Sequence, residues 1–266
     1  MSTTSAPRRD EQFAFGVVAR ITGASVIHAD TRGAPPGTVD AWIDYPDGTR
    51  GALEVTTLGE PEEFQLHSLV RRHKSDFPNP GKLLWTLRVA HPRELPRLKS
   101  LYAGAILLME MHGVQHIEQL ASREVGADAD LEWLQQEAES TLHGYSSIPK
   151  GRHENVILSS GSLGAIWSSD GDEIASALSG ALTGQLVRDH IDKLLRHQAA
   201  ERHLFLIVGL TGLTPAAVIA LMGPELVPSE DPELPSGITH LWLTAGFGQE
   251  LLVWQRGSGW SIEAFS

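Results

Sequence analysis

The sequence predicts an α/β fold, and three observations predict it. An N-terminal amphipathic helix leads into a β-hairpin, a buried strand HLFLIVGL (203–210) follows directly on a long helical stretch, and three strand-like runs close the chain. With 266 residues, 41% of them hydrophobic and 20% charged, the chain can bury a sizeable core. It reads as one elaborated domain over 1–266.

The elements follow in order. Asp10 precedes Phe13, Val17 and Ile21, with Ala14 and Val18 beside them, which gives a helix with one apolar stripe that Gly23 ends. SVIHA is a short strand. Beyond the break GAPPG come VDAWIDY (39–45) and TRGALEVTT (49–57), joined by Pro46-Asp47-Gly48. Pro presets the first central φ of a type I turn and Gly accepts the left-handed position of a bulge, so the loop pairs Tyr45 with Thr49. Phe64 to Lys74 is helical in pattern, and KLLWTLRVA (82–90) is a strand. This stretch, 10–90, forms the first part of the core. LKSLYAGAILLMEMHG and DLEWLQQEAESTLHG read as two helices closed by Gly, a helical insertion over 94–150. The second part of the core, 154–222, holds VILSS, AIWSS, a helical pattern from Asp172 to Gln198, the strand at 203–210 and a short helix begun by Pro215. ITHLWLTAG, ELLVWQRG and GWSIEAF make a β-meander over 238–266.

Composition narrows the chemistry. With no Cys, disulfides, thiolate zinc sites and thiol nucleophiles are excluded, and any metal must use O or N ligands. No apolar run reaches membrane-spanning length and the first residues lack an apolar signal core, so a soluble, cytoplasmic protein without membrane contact is expected. The net charge of −12 argues against coating a polyanion through the whole surface. Basic residues cluster locally, however: within 68–99, Arg71, Arg72, Lys74, Lys82, Arg88, Arg93, Arg97 and Lys99 stand against Asp76 and Glu94. The plain reading is a solvated face; the functional one is a DNA-facing patch.

In the register set by the turn, Asp40 faces Glu54 directly and Thr56 follows on the same side. Val39, Ala41, Ile43, Leu53 and Val55 line the other face, suited to burial. Two opposed carboxylates repel, so the pair invites a cation or a proton, and oxygen ligands of this kind suit Mg²⁺ or Mn²⁺. On this reading, removing either acid relieves repulsion and leaves stability unchanged or slightly higher. The plainer alternative is the exposed polar face of a hairpin. Trp42, on the same face, is either packing or a stacking surface for a base. Other motifs are weaker. His112 and His116 have helical zinc-ligand spacing, but Gly113 interrupts them and no HExxH glutamate is present. Ser159 to Gly164 lacks the GxxxxGK[ST] pattern, and no GxSxG elbow occurs.

A helix bearing Glu11, a strand, Asp40, a 13-residue spacer and Glu54-Val55-Thr56 together resemble the opening of a PD-(D/E)XK nuclease core. The resemblance spans Glu11 to Thr56 and implies a restriction endonuclease-like mixed central sheet flanked by helices. It further implies that Asp40 and Glu54 hold Mg²⁺ (or Mn²⁺), that the Val55 carbonyl completes the ligand set, and that Glu11 is an outer ligand or base. Thr56 occupies the place of the family's lysine. Members of the superfamily can recruit a replacement from the helix before the next core strand, which here offers Lys193, with Asp189 and Gln185 one and two turns earlier; Lys74 is the other substitute. The function implied is a Mg²⁺-dependent phosphodiesterase acting on DNA, with Lys193 orienting water or neutralising developing charge. The rival, favoured by Thr56 and by the overall acidity, is a catalytically inactive module of the same fold that binds nucleic acid or a protein partner, in defence or regulation. A plain α/β scaffold with an unrelated ligand pocket is the third reading.

Overall fold

The apolar stripe of the N-terminal helix folds as expected: α1, Arg9–Thr22, buries Ala14, Val17 and Val18, and Gly23 closes it at φ 68°, donating its N–H to the Ala19 carbonyl. This is a computed structural model, and it describes residues 6–59, 65–66, 69–70, 76–121, 128–145, 154–160, 171–221, 227–245 and 250–265. The chain divides into two compact units, residues 1–59 with 163–266, and residues 60–162.

The first unit is built on a mixed seven-stranded sheet in the order β1-β2-β3-β7-β8-β9-β10. β1 (Ser25–His28), β2 (Ala41–Asp44) and β3 (Arg50–Leu58) are antiparallel neighbours. The hairpin turn is the one Pro-Asp-Gly selects: Tyr45 N–H donates to the Thr49 carbonyl, Gly48 N–H donates to the Tyr45 carbonyl, and Gly48 adopts φ 85°. Ala41 therefore opposes Leu53 and Asp44 opposes Arg50. β7 (Glu201–Val208) pairs in parallel with β3 and with β8 (His240–Ala245), and β9 (Glu250–Gln255) and β10 (Gly259–Ala264) complete the meander. The central strands are buried almost throughout, as parallel strands covered on both faces must be. The helical stretch after residue 171 breaks at Gly184 into α4 (Gly171–Leu182) and α5 (Gln185–Arg196), and α6 (Pro215–Leu221) links β7 to β8.

Alternation along β3 and β7 sorts the two faces of this sheet. Leu53, Val55 and Phe205 point to α1 and pack with Ala14, Val18, Ile43 and Trp242 in one core. Glu54, Thr56, Leu204 and Leu206 point the other way, toward α5, which packs on β3 and β7 through Val187, Ile191 and Leu194.

The second unit carries its own sheet, in the order β5-β4-β6: β4 (Leu84–Arg88) lies between antiparallel β5 (Thr141–Tyr145) and parallel β6 (Ile157–Ser159). Among its described residues are the helices α2 (Leu95–Met111) and α3 (Ala129–Gln136). The region expected as a helical insertion over 94–150 thus belongs to a unit that begins at 60 and contains strands. TLHGY, expected to finish a helix, pairs with β4 instead. Gly144 is not a helix stop; a Cβ there would lie 2.8 Å from the Trp85 ring, so the residue admits that indole. The expected helix at 64–74 falls largely, and the run AIWSS wholly, outside the described residues. Among the described residues no helix is long and apolar enough to cross a membrane.

A polar network lies on the α1 face at the start of β7 and β8. His203, fully buried, stacks on His240 with centroids 4.0 Å apart. The Trp242 indole donates to His203 Nδ1 at 3.1 Å. An indole nitrogen can only donate, so Nδ1 accepts and Nε2 carries the hydrogen, which it directs to Glu201 Oε2 at 3.1 Å. Tyr45 Oη stands 3.1 Å from the same nitrogen and also hydrogen-bonds Glu201. Gly51 keeps this space open, since a Cβ on it would meet Ile43 at 3.3 Å and His203 at 3.5 Å.

Burial pushes the pKa of His203 down, and burial together with the neighbouring His203 pushes His240 down to about 3. Both rings are therefore neutral when folded and charge readily when unfolded. Their contribution is complete above the unfolded value of about 6.5 and is lost as pH falls toward the folded values. Each ring should add about 1.4 kcal/mol of lost stability per pH unit over that window. Urea midpoints at pH 7 and pH 5 check this: the wild type should weaken on acidification, and His240→Gln should weaken distinctly less. Equal slopes in the two proteins would show that the stacked pair does not govern acid sensitivity.

Candidate functional site

β2 and β3 stop pairing through their backbones just beyond Ala41 and Leu53, and two side chains take over there. Asp40 N–H donates to Glu54 Oε1 at 3.0 Å, and Val55 N–H donates to Asp40 Oδ2 at 2.8 Å. Each carboxylate thus accepts the amide hydrogen of the opposite strand, which holds the acids side by side on the α5 face. Both are buried, Glu54 completely and Asp40 at 3% exposure.

α5 supplies the countercharge. Its apolar positions Val187, Ile191 and Leu194 seat it on the sheet, and this turns His190 and Lys193, three residues apart, toward the carboxylates. Lys193 Nζ lies 2.8 Å from Glu54 Oε1 and 3.2 Å from Asp40 Oδ1, and His190 Nδ1 lies 2.7 Å from Glu54 Oε2. Burial opposes the Lys193 charge, but its hydrogen bond to Glu54 and the field of both carboxylates outweigh it and raise the pKa. Burial pushes the Glu54 carboxyl up, against the pull of His190 and Lys193.

The structure brings Asp40, Glu54 and Lys193 together and places the other expected residues differently. Glu11 spends its carboxylate on Arg8, accepting from that residue's backbone N–H and its Nε across the first turn of α1. Val55 is joined to the site through its N–H, given to Asp40, and it pairs with Phe205 in the parallel ladder. Asp189 does not accompany Lys193: it accepts a hydrogen bond from Gln185 on the exposed side of α5. Thr56 is buried on the same face as Glu54 and brings no charge. Trp42 is packed, with the Arg50 guanidinium 4.5 Å from its ring centroid and His197 against its edge. Gly113 ends α2 ahead of His116, so His112 and His116 share no helical face. Lys74, Arg71 and Arg72 lie outside the described residues. Of the remaining basic cluster, Arg97 pairs with Asp130 and stacks on Trp133, Arg88 donates to the Glu139 carbonyl and Lys99, though exposed, lies 5.7 Å from the Phe77 ring centroid, while Lys82 and Arg93 are exposed as well. These residues belong to the second unit and the carboxylates to the first.

His190 is the site residue that sequence reasoning missed. The available signal was its spacing of three from Lys193; attention to the spacing of four picked out Asp189 instead.

Two groups among the described residues have ligand atoms within 4.8 Å of one another, Asp40 with Glu54 and His190, and Glu201 with His203 and His240. The second is not a metal centre. His203 Nδ1 already accepts from Trp242, and a neutral imidazole with that tautomer has no lone pair left on Nε2 for an ion. The first fits a divalent cation: it offers two buried carboxylates and an imidazole, and the two negative charges exceed the one that Lys193 compensates.

The two acids do repel, Asp40 adding to the upward push on the Glu54 carboxyl, but their partners reverse the effect on stability that repulsion alone predicts. Removing Glu54 leaves His190 and the Asp40 N–H without their acceptor in a buried site, and Lys193 with Asp40 alone. Glu54→Ala should therefore destabilise by about 3–5 kcal/mol, and Glu54→Gln, which keeps an acceptor, by less. Denaturation in urea without metal ions measures both, and an unchanged Glu54→Ala midpoint would restore the repulsion account.

Compared with protein-family models, with curated proteins and with solved structures, the chain matches none.

Proposed function

We propose that the chain is a divalent-metal-dependent phosphodiesterase acting on DNA, on a restriction endonuclease-like core. One observation carries this reading: two carboxylates from a hairpin and a lysine from the helix preceding the adjacent parallel strand converge within hydrogen-bond distance. The resemblance led to the same three residues from their order in the chain.

Asp40 and Glu54 would hold the ion, held in place themselves by the reciprocal N–H bonds. A bound divalent ion supplies a hydroxide nucleophile at neutral pH and neutralises phosphate charge. Lys193, kept protonated by both acids, is placed to steady the attacking water or the phosphoryl oxygens as charge grows on them. Thr56 cannot do this, and a helix-borne lysine at 2.8 Å from Glu54 would fill the role. Lys82, Arg93 and Lys99 are proposed DNA contacts. With a net charge of −12, binding should be local and weaken steeply with salt.

One observation favours the rival, an inactive module of this fold that binds nucleic acid or protein. All four carboxylate oxygens already have a partner within hydrogen-bond distance, so an ion would have to displace at least one of them.

Cleavage of single- and double-stranded DNA with Mg²⁺ or Mn²⁺ separates the two. The wild type should cleave in a metal-dependent manner. Glu54→Gln and Asp40→Asn should lose activity at least about a hundredfold, and Lys193→Met should lower kcat by about 10²–10³. Cleavage that survives all three substitutions, or no cleavage of either DNA with either metal, defeats the nuclease reading.

A further inference from the structure

The nuclease resemblance gives the ion proposed above two carboxylates, Asp40 and Glu54, and the Val55 carbonyl, and this chain brings a further side chain to the same place. We infer that His190 ligates that ion through Nδ1, and that the site accordingly takes Mn²⁺ in preference to Mg²⁺. The inference rests on the reading of Asp40 and Glu54 as a divalent-ion site.

The argument starts from how Glu54 is shared. Its Oε1 accepts from Lys193 at 2.8 Å and from the Asp40 N–H at 3.0 Å, whereas its Oε2 meets His190 Nδ1 at 2.7 Å. The ammonium and the imidazole therefore occupy opposite oxygens, and an ion entering at Oε2 need not displace Lys193. Two ligands each about 2.1 Å from an ion and at right angles stand about 3.0 Å apart. The His190–Glu54 pair is within a few tenths of an ångström of that spacing, so an ion can replace the shared hydrogen with little movement. Asp40 already brings an oxygen within 4.8 Å of both other ligand atoms. The His190 side chain is one-fifth exposed, and a neutral imidazole that binds the ion through Nδ1 carries its hydrogen on Nε2.

Donor chemistry then selects the ion. Mg²⁺ demands near-ideal octahedral oxygen coordination and holds its waters, while imidazole suits first-row transition ions. A set of two carboxylates and one imidazole moves the preference toward Mn²⁺, which still accepts carboxylate and phosphate oxygens. Lys193 keeps its contact with Oε1, so the nitrogen ligand and the ammonium serve different ends of one carboxylate.

Titration calorimetry of the whole chain with Mn²⁺ alone and with Mg²⁺ alone is the first test, without DNA. The wild type should bind Mn²⁺ at least about tenfold more tightly than Mg²⁺. His190→Gln, which retains a hydrogen-bond donor for Glu54, should lose about tenfold or more in Mn²⁺ affinity and much less in Mg²⁺ affinity. Should the variant fold poorly, electron spin-echo spectroscopy of Mn²⁺ bound to the wild type reads the same point directly, as modulation from a coordinated imidazole nitrogen. Equal affinity for the two ions, a parallel loss in His190→Gln, absence of nitrogen modulation, or no Mn²⁺ binding at millimolar concentration each overturns the assignment. Mn²⁺ binding with nitrogen modulation but no DNA cleavage leaves His190 a ligand and defeats only the nuclease. Cleavage supported by an ion without nitrogen modulation does the reverse.

Discussion

The reciprocal bonds at the open end of the β2–β3 ladder are the constraint on which this site depends. Two carboxylates placed directly opposite each other in a hairpin would push apart, and two backbone N–H groups with no partner across the ladder would be costly to bury. Each defect answers the other. Asp40 takes the Val55 N–H and Glu54 takes the Asp40 N–H, so the acids are fixed by the backbone they terminate. What remains is excess negative charge in a buried place, and α5 meets it with Lys193 and His190. The hairpin register, the seating of α5 and the chemistry of the site are thereby a single arrangement, and a slip of one residue in the ladder would undo all three.

The central strands β3 and β7 carry polar networks on both faces, and the two differ in how their hydrogen bonds run. On the α1 face, donor and acceptor roles follow from one indole N–H: Trp242 fixes the tautomer of His203, His203 serves Glu201, and the group becomes a brace for the parallel strands. On the α5 face the acids are fixed by backbone N–H groups, and His190 meets a carboxylate rather than a donor. Two clusters of similar spacing thus differ in hydrogen-bond direction rather than in distance.

Electrostatics divides the molecule in a second way. The acidic site belongs to the unit of residues 1–59 and 163–266, and the basic cluster of 68–99 to the unit of 60–162. Much of that basic charge is spent within its own unit: Arg97 holds Asp130 and covers Trp133, and Arg88 holds the Glu139 carbonyl. A run of cations in a sequence therefore overstates the charge available to a partner, because guanidinium groups also cap, stack and brace.

Local signals were legible from the sequence wherever chemistry acts over a few residues. Pro46-Asp47-Gly48 dictates its turn, the turn dictates the register, and the register places Asp40 beside Glu54 on the face away from Leu53 and Val55. The α1 stripe and its Gly23 stop, and the meander, were legible for the same reason. The second unit was not: TLHGY becomes a strand because β4 and Trp85 lie beside it, and nothing local announces that. Lys193 could be nominated from its place before a central strand, yet its contacts, and the presence of His190 beside it, were decided by how α5 seats its apolar residues on β3 and β7. Charge state followed the same division. The sequence by itself determined that two acids meet; only the tertiary structure decided that a helix distant in the chain brings an ammonium and an imidazole to them, because desolvation and pairing are properties of what surrounds a group in space.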